Sequence, residues 1–140
     1  MDDTLLQIRD YAGEGYQSLV TFGSWRVAIL NYMDGIHPDH NDRIERHIET
    51  DEVFVLTRGK GVLIMGGNGS QVDGICPQSM DIGVIYNVRR NAWHTILISR
   101  DASVLIVENH DTGVQNSEFA PLSEELKKRL AEIARQEQID

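Results

Sequence analysis

The feature that most constrains this chain is its punctuation. From Gln17 to Asn109, β-forming runs are short, and turns rich in glycine, asparagine or proline separate them. Ser18-Leu19-Val20-Thr21-Phe22 and Trp25 to Tyr32 flank Gly23-Ser24, which reads as a hairpin. A polar loop over residues 34–43 follows, carrying Gly35 and Pro38. Strands are then expected over Ile44–Ile48, Glu52–Thr57 and Val62–Met65, with Gly59-Lys60-Gly61 and Gly66-Gly67-Asn68-Gly69 as turns. Four more are expected near Ser70–Asp73, Val84–Val88, His94–Ser99 and Ser103–Asn109. Thr4 to Ile8 reads equally as a short helix or a leading strand. Many short strands with few helical stretches predict an all-β sandwich or barrel.

The last segment departs from this pattern. Leu126, Leu130, Ile133 and Ala134 form one helical stripe after Ser123, a natural N-cap. Glu124 and Glu125 fall in the first turn, where the helix dipole favours them. A C-terminal helix is expected over about 123–137, packed outside a β body of about 17–110. At 140 residues, with no internal repeat and no proline-rich linker, residues 1–140 read as a single domain.

Composition mainly excludes. A net charge of −9 argues against nucleic acid or an anionic membrane as partner. No apolar run approaches the ~20 residues of a membrane span, and the acidic N-terminus lacks the pattern of a signal peptide. The single cysteine, Cys76, excludes an intramolecular disulfide and multi-cysteine zinc sites. It lies beside Pro77 in an expected loop and is read as unreactive. The expectation is a soluble, cytoplasmic protein.

One stretch carries chemistry. Alternation puts Glu45 and His47 on one strand face, Glu52 opens the next strand, and Trp93-His94 opens a later one. Two histidines and one or two carboxylates near strand starts can converge inside a small barrel. Neutral imidazole with carboxylate is a ligand set for first-row divalent metals. The other reading makes His47 and His94 polar barrel residues satisfied by their neighbours. Phe54 and Leu56 share parity with Glu52, and Ile96 and Ile98 with His94, so a mostly apolar pocket with a few polar groups is expected.

The spacing of these residues resembles the cupin superfamily. Its first motif, G-x5-H-x-H-x3,4-E-x6-G, appears as Asp39-x5-Glu45-x-His47-x4-Glu52-x6-Gly59. Its second, G-x5-P-x-G-x2-H-x3-N, appears as Gly83-x5-Arg89-x-Asn91-x2-His94-x3-Ile98. Spacing agrees throughout, while Asp39, Glu45, Arg89, Asn91 and Ile98 depart in identity. The match covers residues 45–98. The resemblance implies a double-stranded β-helix, or jelly-roll barrel. It places metal ligands on His47, Glu52 and His94, with Glu45 in the remaining ligand position. The ion would be Fe, Mn, Zn or Ni, and no nucleotide cofactor is expected. It further implies a metal-dependent small-molecule enzyme of oxygenase or isomerase type. The competing readings are a metal-free small-molecule binder and a dimeric scaffold.

Phe54, Tyr86, Arg89 and Trp93 are the expected substrate-pocket residues, with core packing as the other reading of Tyr86 and Trp93. Arg89-Arg90 could grip a carboxylate or phosphate at the barrel mouth. His37 and His40 lack a third partner and are read as loop residues, and Glu49 and Asp51 as solvated. One of Glu108 and Asn109 must face inward. Leu19, Phe22 and Trp25 suggest a homodimer through the N-terminal strands.

Overall fold

The computed structural model describes residues 2–139. Among these residues, ten strands and one α-helix follow in order, besides two single-turn 3-10 helices: β1 (Gly15–Phe22), β2 (Trp25–Asn31), β3 (Arg43–His47), β4 (Glu52–Arg58), β5 (Gly61–Met65), β6 (Cys76–Ser79), β7 (Ile85–Val88), β8 (His94–Ile98), β9 (Ser103–Asn109), β10 (Ser117–Pro121) and α1 (Glu124–Gln136). They form two five-stranded antiparallel sheets, ordered β1-β2-β9-β4-β7 and β10-β3-β8-β5-β6. The expected jelly-roll architecture with a C-terminal helix is what the chain forms.

Two apolar clusters hold it together. The first lies between the sheets, where alternate residues of β4, β8 and β9 meet: Phe54, Leu56, Ile96, Ile98, Val104 and Ile106. The second lies outside the second sheet. There Val62, Ile64 and Leu97 face Leu130 and Ile133 of the helix. The second sheet is thus buried on both faces, which is why β5 reads as the unbroken apolar run Val62-Leu63-Ile64-Met65. The Ser123 Oγ caps the helix by accepting from the Leu126 backbone N–H at 3.1 Å.

Three expectations need correction. The strand expected near Ser70–Asp73 lies at β6 instead, in the segment read as the Cys76-Pro77 loop. Proline signals a loop because it cannot donate to a ladder. On β6, an edge strand, the position where Pro77 lacks an N–H can fall on the side away from the sheet, where no ladder bond is lost. β10 was not expected at all, yet it pairs along the whole of β3. Thr4 to Ile8 form neither helix nor strand, and Leu5 and Ile8 are exposed.

The turn glycines of the motifs have a backbone reason. Gly59 sits at φ +77°, and a Cβ there would stand 2.6 Å from the Ala102 Cα. Asn91 replaces the glycine of the second motif and keeps its left-handed backbone, at φ 71°. Asparagine is among the few other residues that tolerate this region.

Candidate functional site

The motif strands bring their polar residues to one end of the space between the sheets. On β3, Glu45 and His47 share the inward face, and Glu45 pairs across to His94 on β8. Glu52 enters from β4 in the opposite sheet. The loop before β8 is pinned to β3, because the Asn91 N–H donates to the His47 carbonyl at 2.7 Å. The two motifs are thereby fixed to each other.

His47 Nε2 lies 3.0 Å from Glu52 Oε1, and His94 Nε2 lies 2.9 Å from the same oxygen. Glu45 Oε1 is 3.7 Å from His47 Nε2. One ligand atom from each of the four residues falls within 4.8 Å of the others. Glu45 is half-buried at the edge of the group, while the other three are buried. The far side of each imidazole is anchored. His94 Nδ1–H donates to the Ala92 carbonyl at 3.0 Å, and His47 Nδ1 is hydrogen-bonded to Ser117 Oγ at 2.8 Å. Such bonds fix ring orientation and direct the Nε2 atoms at a common point.

The electrostatics are tightly coupled. Burial disfavours charge on His47 and His94, but hydrogen bonds to Glu52 and its charge outweigh this and raise both imidazoles above 6.5. Burial likewise opposes charge on Glu52. The hydrogen bonds from His47 and His94 prevail and hold it below the usual carboxylate range. Because the Ala92 carbonyl can only accept, His94 needs a second proton to donate to Glu52, or a cation between them. The donor set of two imidazoles and two carboxylates fits a divalent first-row ion.

A cavity of about 410 Å3 opens over this cluster. Phe54 and Ile96 give it apolar walls, as their parity predicts, and a second polar group completes it. Glu108 faces inward, settling the choice between Glu108 and Asn109. Its Oε1 accepts from Arg26 Nη2 at 2.7 Å and from the Tyr16 hydroxyl at 2.9 Å. Burial, then the charge of Glu52, pushes the Glu108 carboxyl up to about 7. Burial, together with Glu108, also raises the Tyr16 hydroxyl well above its ordinary value.

Several expected pocket residues lie elsewhere. Trp93 is buried beneath the helix, where its indole N–H donates to the Gly69 carbonyl and Arg46 stacks on its ring. The parity that turns His94 inward turns Trp93 outward. Arg89 is exposed and paired with Asp51 at 3.2 Å, and the Arg90 N–H donates to the same carboxylate. Asp51 therefore ties the two motif loops together rather than being merely solvated. Tyr86 and Arg89 line a separate opening of about 490 Å3, beside β5, β6 and β7. His37 and His40 stay in their loop, away from the four-residue cluster.

Sequence reasoning missed Tyr16, Arg26 and Ser117. Arg26 had a signal, since it is a lone charge sharing inward parity with Ala28 and Leu30. Ser117 had none, because nothing local marks β10 as the partner of β3.

No protein-family model matches the chain, and no curated protein matches it. Solved structures do. A cupin-2 domain containing protein from Shewanella frigidimarina is 13% identical, with 71% of this chain and 85% of that one covered and a TM-score of 0.51. Pac13 from Streptomyces, described as a nucleoside dehydratase, is 12% identical over 83% of this chain and 87% of its own, with a TM-score of 0.53. The capsular polysaccharide assembling protein CapF of Staphylococcus aureus is 16% identical over 87% of this chain but only 34% of its own, with a TM-score of 0.56. At such identities the likeness concerns the fold, and the chain has the cupin fold. No described helix is long and apolar enough to cross a membrane.

Proposed function

We propose that this protein is a metal-dependent enzyme acting on a small molecule, with oxygenase or isomerase chemistry. One observation carries the reading. The Nε2 atoms of His47 and His94 converge on one Glu52 oxygen, with both rings anchored from behind. His47, Glu52 and His94 would hold Fe(II), Mn(II), Zn(II) or Ni(II), with Glu45 as the fourth ligand from the cavity side. Bound there, the ion would supply Lewis-acid or oxygen-activating chemistry. The chain's own residues do the rest. Phe54, Ile96 and Ile106 keep water from one side of the cavity, and Tyr16, Arg26 and Glu108 present polar groups on the other.

A metal-free binding module is the second reading. The hydrogen bonds of Glu52 to both histidines favour it, because they satisfy the cluster without an ion. A thermal-shift series separates the two, using wild type and His94→Ala, each with EDTA and with the four metals. An ion that binds only the folded state adds about 2.7 kcal/mol at a hundredfold excess over Kd. Wild type is expected to gain stability with at least one metal and His94→Ala to gain none. Identical responses of the two proteins to all four metals would leave the binding module.

We assign the protein to the cytoplasm and to a homodimer. Exposed Phe22 and Trp25, stacked edge-to-face at 6.1 Å on the β1–β2 hairpin, support the dimer. A monomeric mass by light scattering would refute it.

A further inference from the structure

One cation in the wall of the cavity over the four-residue cluster lacks a counter-charge. Arg43, Glu45 and His47 follow one another on the inward face of β3, and all three line that cavity. Burial increases along them: Arg43 is exposed, Glu45 half-buried and His47 buried, so Arg43 marks the mouth. Among the described residues, ion pairs engage Arg26, Arg46, Arg89, Lys127 and Arg129, and none engages Arg43. Its guanidinium is nevertheless held. It lies over the Phe119 ring of β10, 4.2 Å from the centroid. Stacking covers one face of the plane and leaves its edge, where the N–H donors lie, for an acceptor.

Arg26, the other arginine of this wall, is placed differently. Its donors are taken by Glu108 and by the His110 and Thr112 carbonyls. The charges around the cavity sharpen the contrast. Arg26 offsets Glu108. A divalent ion at the four-residue cluster offsets Glu45 and Glu52. Arg43 is then left, among the described lining residues, without an opposite charge. A planar fork of N–H donors suits the two oxygens of a carboxylate or a phosphoryl group.

We infer that Arg43 seats an oxyanion of the substrate, a small organic acid or phosphate ester held by the metal centre at one end and by Arg43 at the other. Arg43 and Glu45 are about 7 Å apart along the strand, so about four or five carbon–carbon bonds separate the two ends. The inference rests on the proposed metal centre for the first end alone.

Butanoate, glutarate and 4-phosphonobutanoate test it. Each offers one carboxylate to the metal centre, and the last two add a carboxylate or a phosphonate at the far end. Each is titrated by calorimetry into wild type, Arg43→Gln and Arg90→Gln, both Mn(II)-loaded and EDTA-treated. Loaded wild type is expected to bind at least one of the two longer acids about tenfold more tightly than butanoate. The larger increment tells a carboxylate seat from a phosphoryl seat. In Arg43→Gln the increment is expected to shrink to within about threefold, with Mn(II) still loaded. Arg90→Gln removes the same charge outside the cavity and is expected to keep the increment. Absence of any increment in wild type overturns the inference. So does an increment that survives in Arg43→Gln, and so do equal losses in the two variants, because net charge alone would then explain them. If Mn(II) fails to load, the EDTA-treated proteins decide. An increment there that only Arg43→Gln abolishes keeps the oxyanion seat while the metal reading falls, and no increment overturns the seat as well.

Discussion

The two ends of the space between the sheets are built by the same strands and differ in kind. Along β4 the inward residues run Glu52, Phe54, Leu56. Along β8 they run His94, Ile96, Ile98, and along β9 Glu108, Ile106, Val104. On β2, Arg26 gives way to Ala28 and Leu30. Each strand thus contributes one polar residue at the same end and apolar residues beyond it. The apolar end contributes stability through burial and needs no partner of defined geometry. The polar end is held by directed hydrogen bonds, from His47 and His94 to Glu52 and from Arg26 and Tyr16 to Glu108. The fold therefore rests on one end while the buried ionisable groups are concentrated at the other.

The largest test of this division is at the apolar end. Leu56 is 1% exposed, and Leu56→Ala is expected to cost about 2–5 kcal/mol in urea unfolding. It should still load metal, because Leu56 lies two inward positions from Glu52. Loss of metal loading in a folded Leu56→Ala protein would break the comparison.

Next is pH, which should act on the polar end alone. Glu108, His47 and His94 all have folded values raised above their unfolded ones. Each contributes stability that is complete below its unfolded value, about 4.5 for Glu108 and 6.5 for the histidines, and is lost as pH rises through the folded value. Glu52 is the reverse: its contribution is present above about 4.5 and is lost as pH falls through its lowered value. Metal-free protein should therefore be most stable near about pH 5 and weaken toward pH 8. Metal loading requires neutral histidines, so the gain from metal should grow over the same range. Unfolding curves between these pH values, with EDTA and with Mn(II), should show the opposite trends. The Leu56→Ala penalty should not change with pH.

A smaller effect is expected at Ser117. Removing its hydroxyl frees the His47 ring, so Ser117→Ala should weaken metal binding by about tenfold while changing metal-free stability little. Calorimetric titration with Mn(II) measures it, and unchanged affinity would show that β10 supports the fold but not the site. The smallest effect is expected at Arg89. Its ion pair with Asp51 is exposed, so Arg89→Ala should shift stability by less than about 0.5 kcal/mol and leave metal loading unchanged. A large loss of ligand affinity in that variant would return Arg89 to the site.

Most of this division was legible in local pattern. Alternation along β4 and β8 assigned Glu52, Phe54, His94 and Ile96 to the interior, because a strand's side chains have a period of two and one buried face fixes the register. Turn residues marked most strand boundaries, since few residues accept a positive φ, and Asn91 kept the backbone of the glycine it replaces. The helix was readable from its 3.6-residue stripe and its cap. The tertiary structure alone decided which strands became neighbours. Pairing joins residues distant in sequence, and no local period encodes which edge a strand meets. That is why β10 and Ser117 went unseen, and why Pro77 disguised an edge strand as a loop. It is also why Arg26 and Glu108, 82 residues apart, were not recognised as partners in one cavity wall.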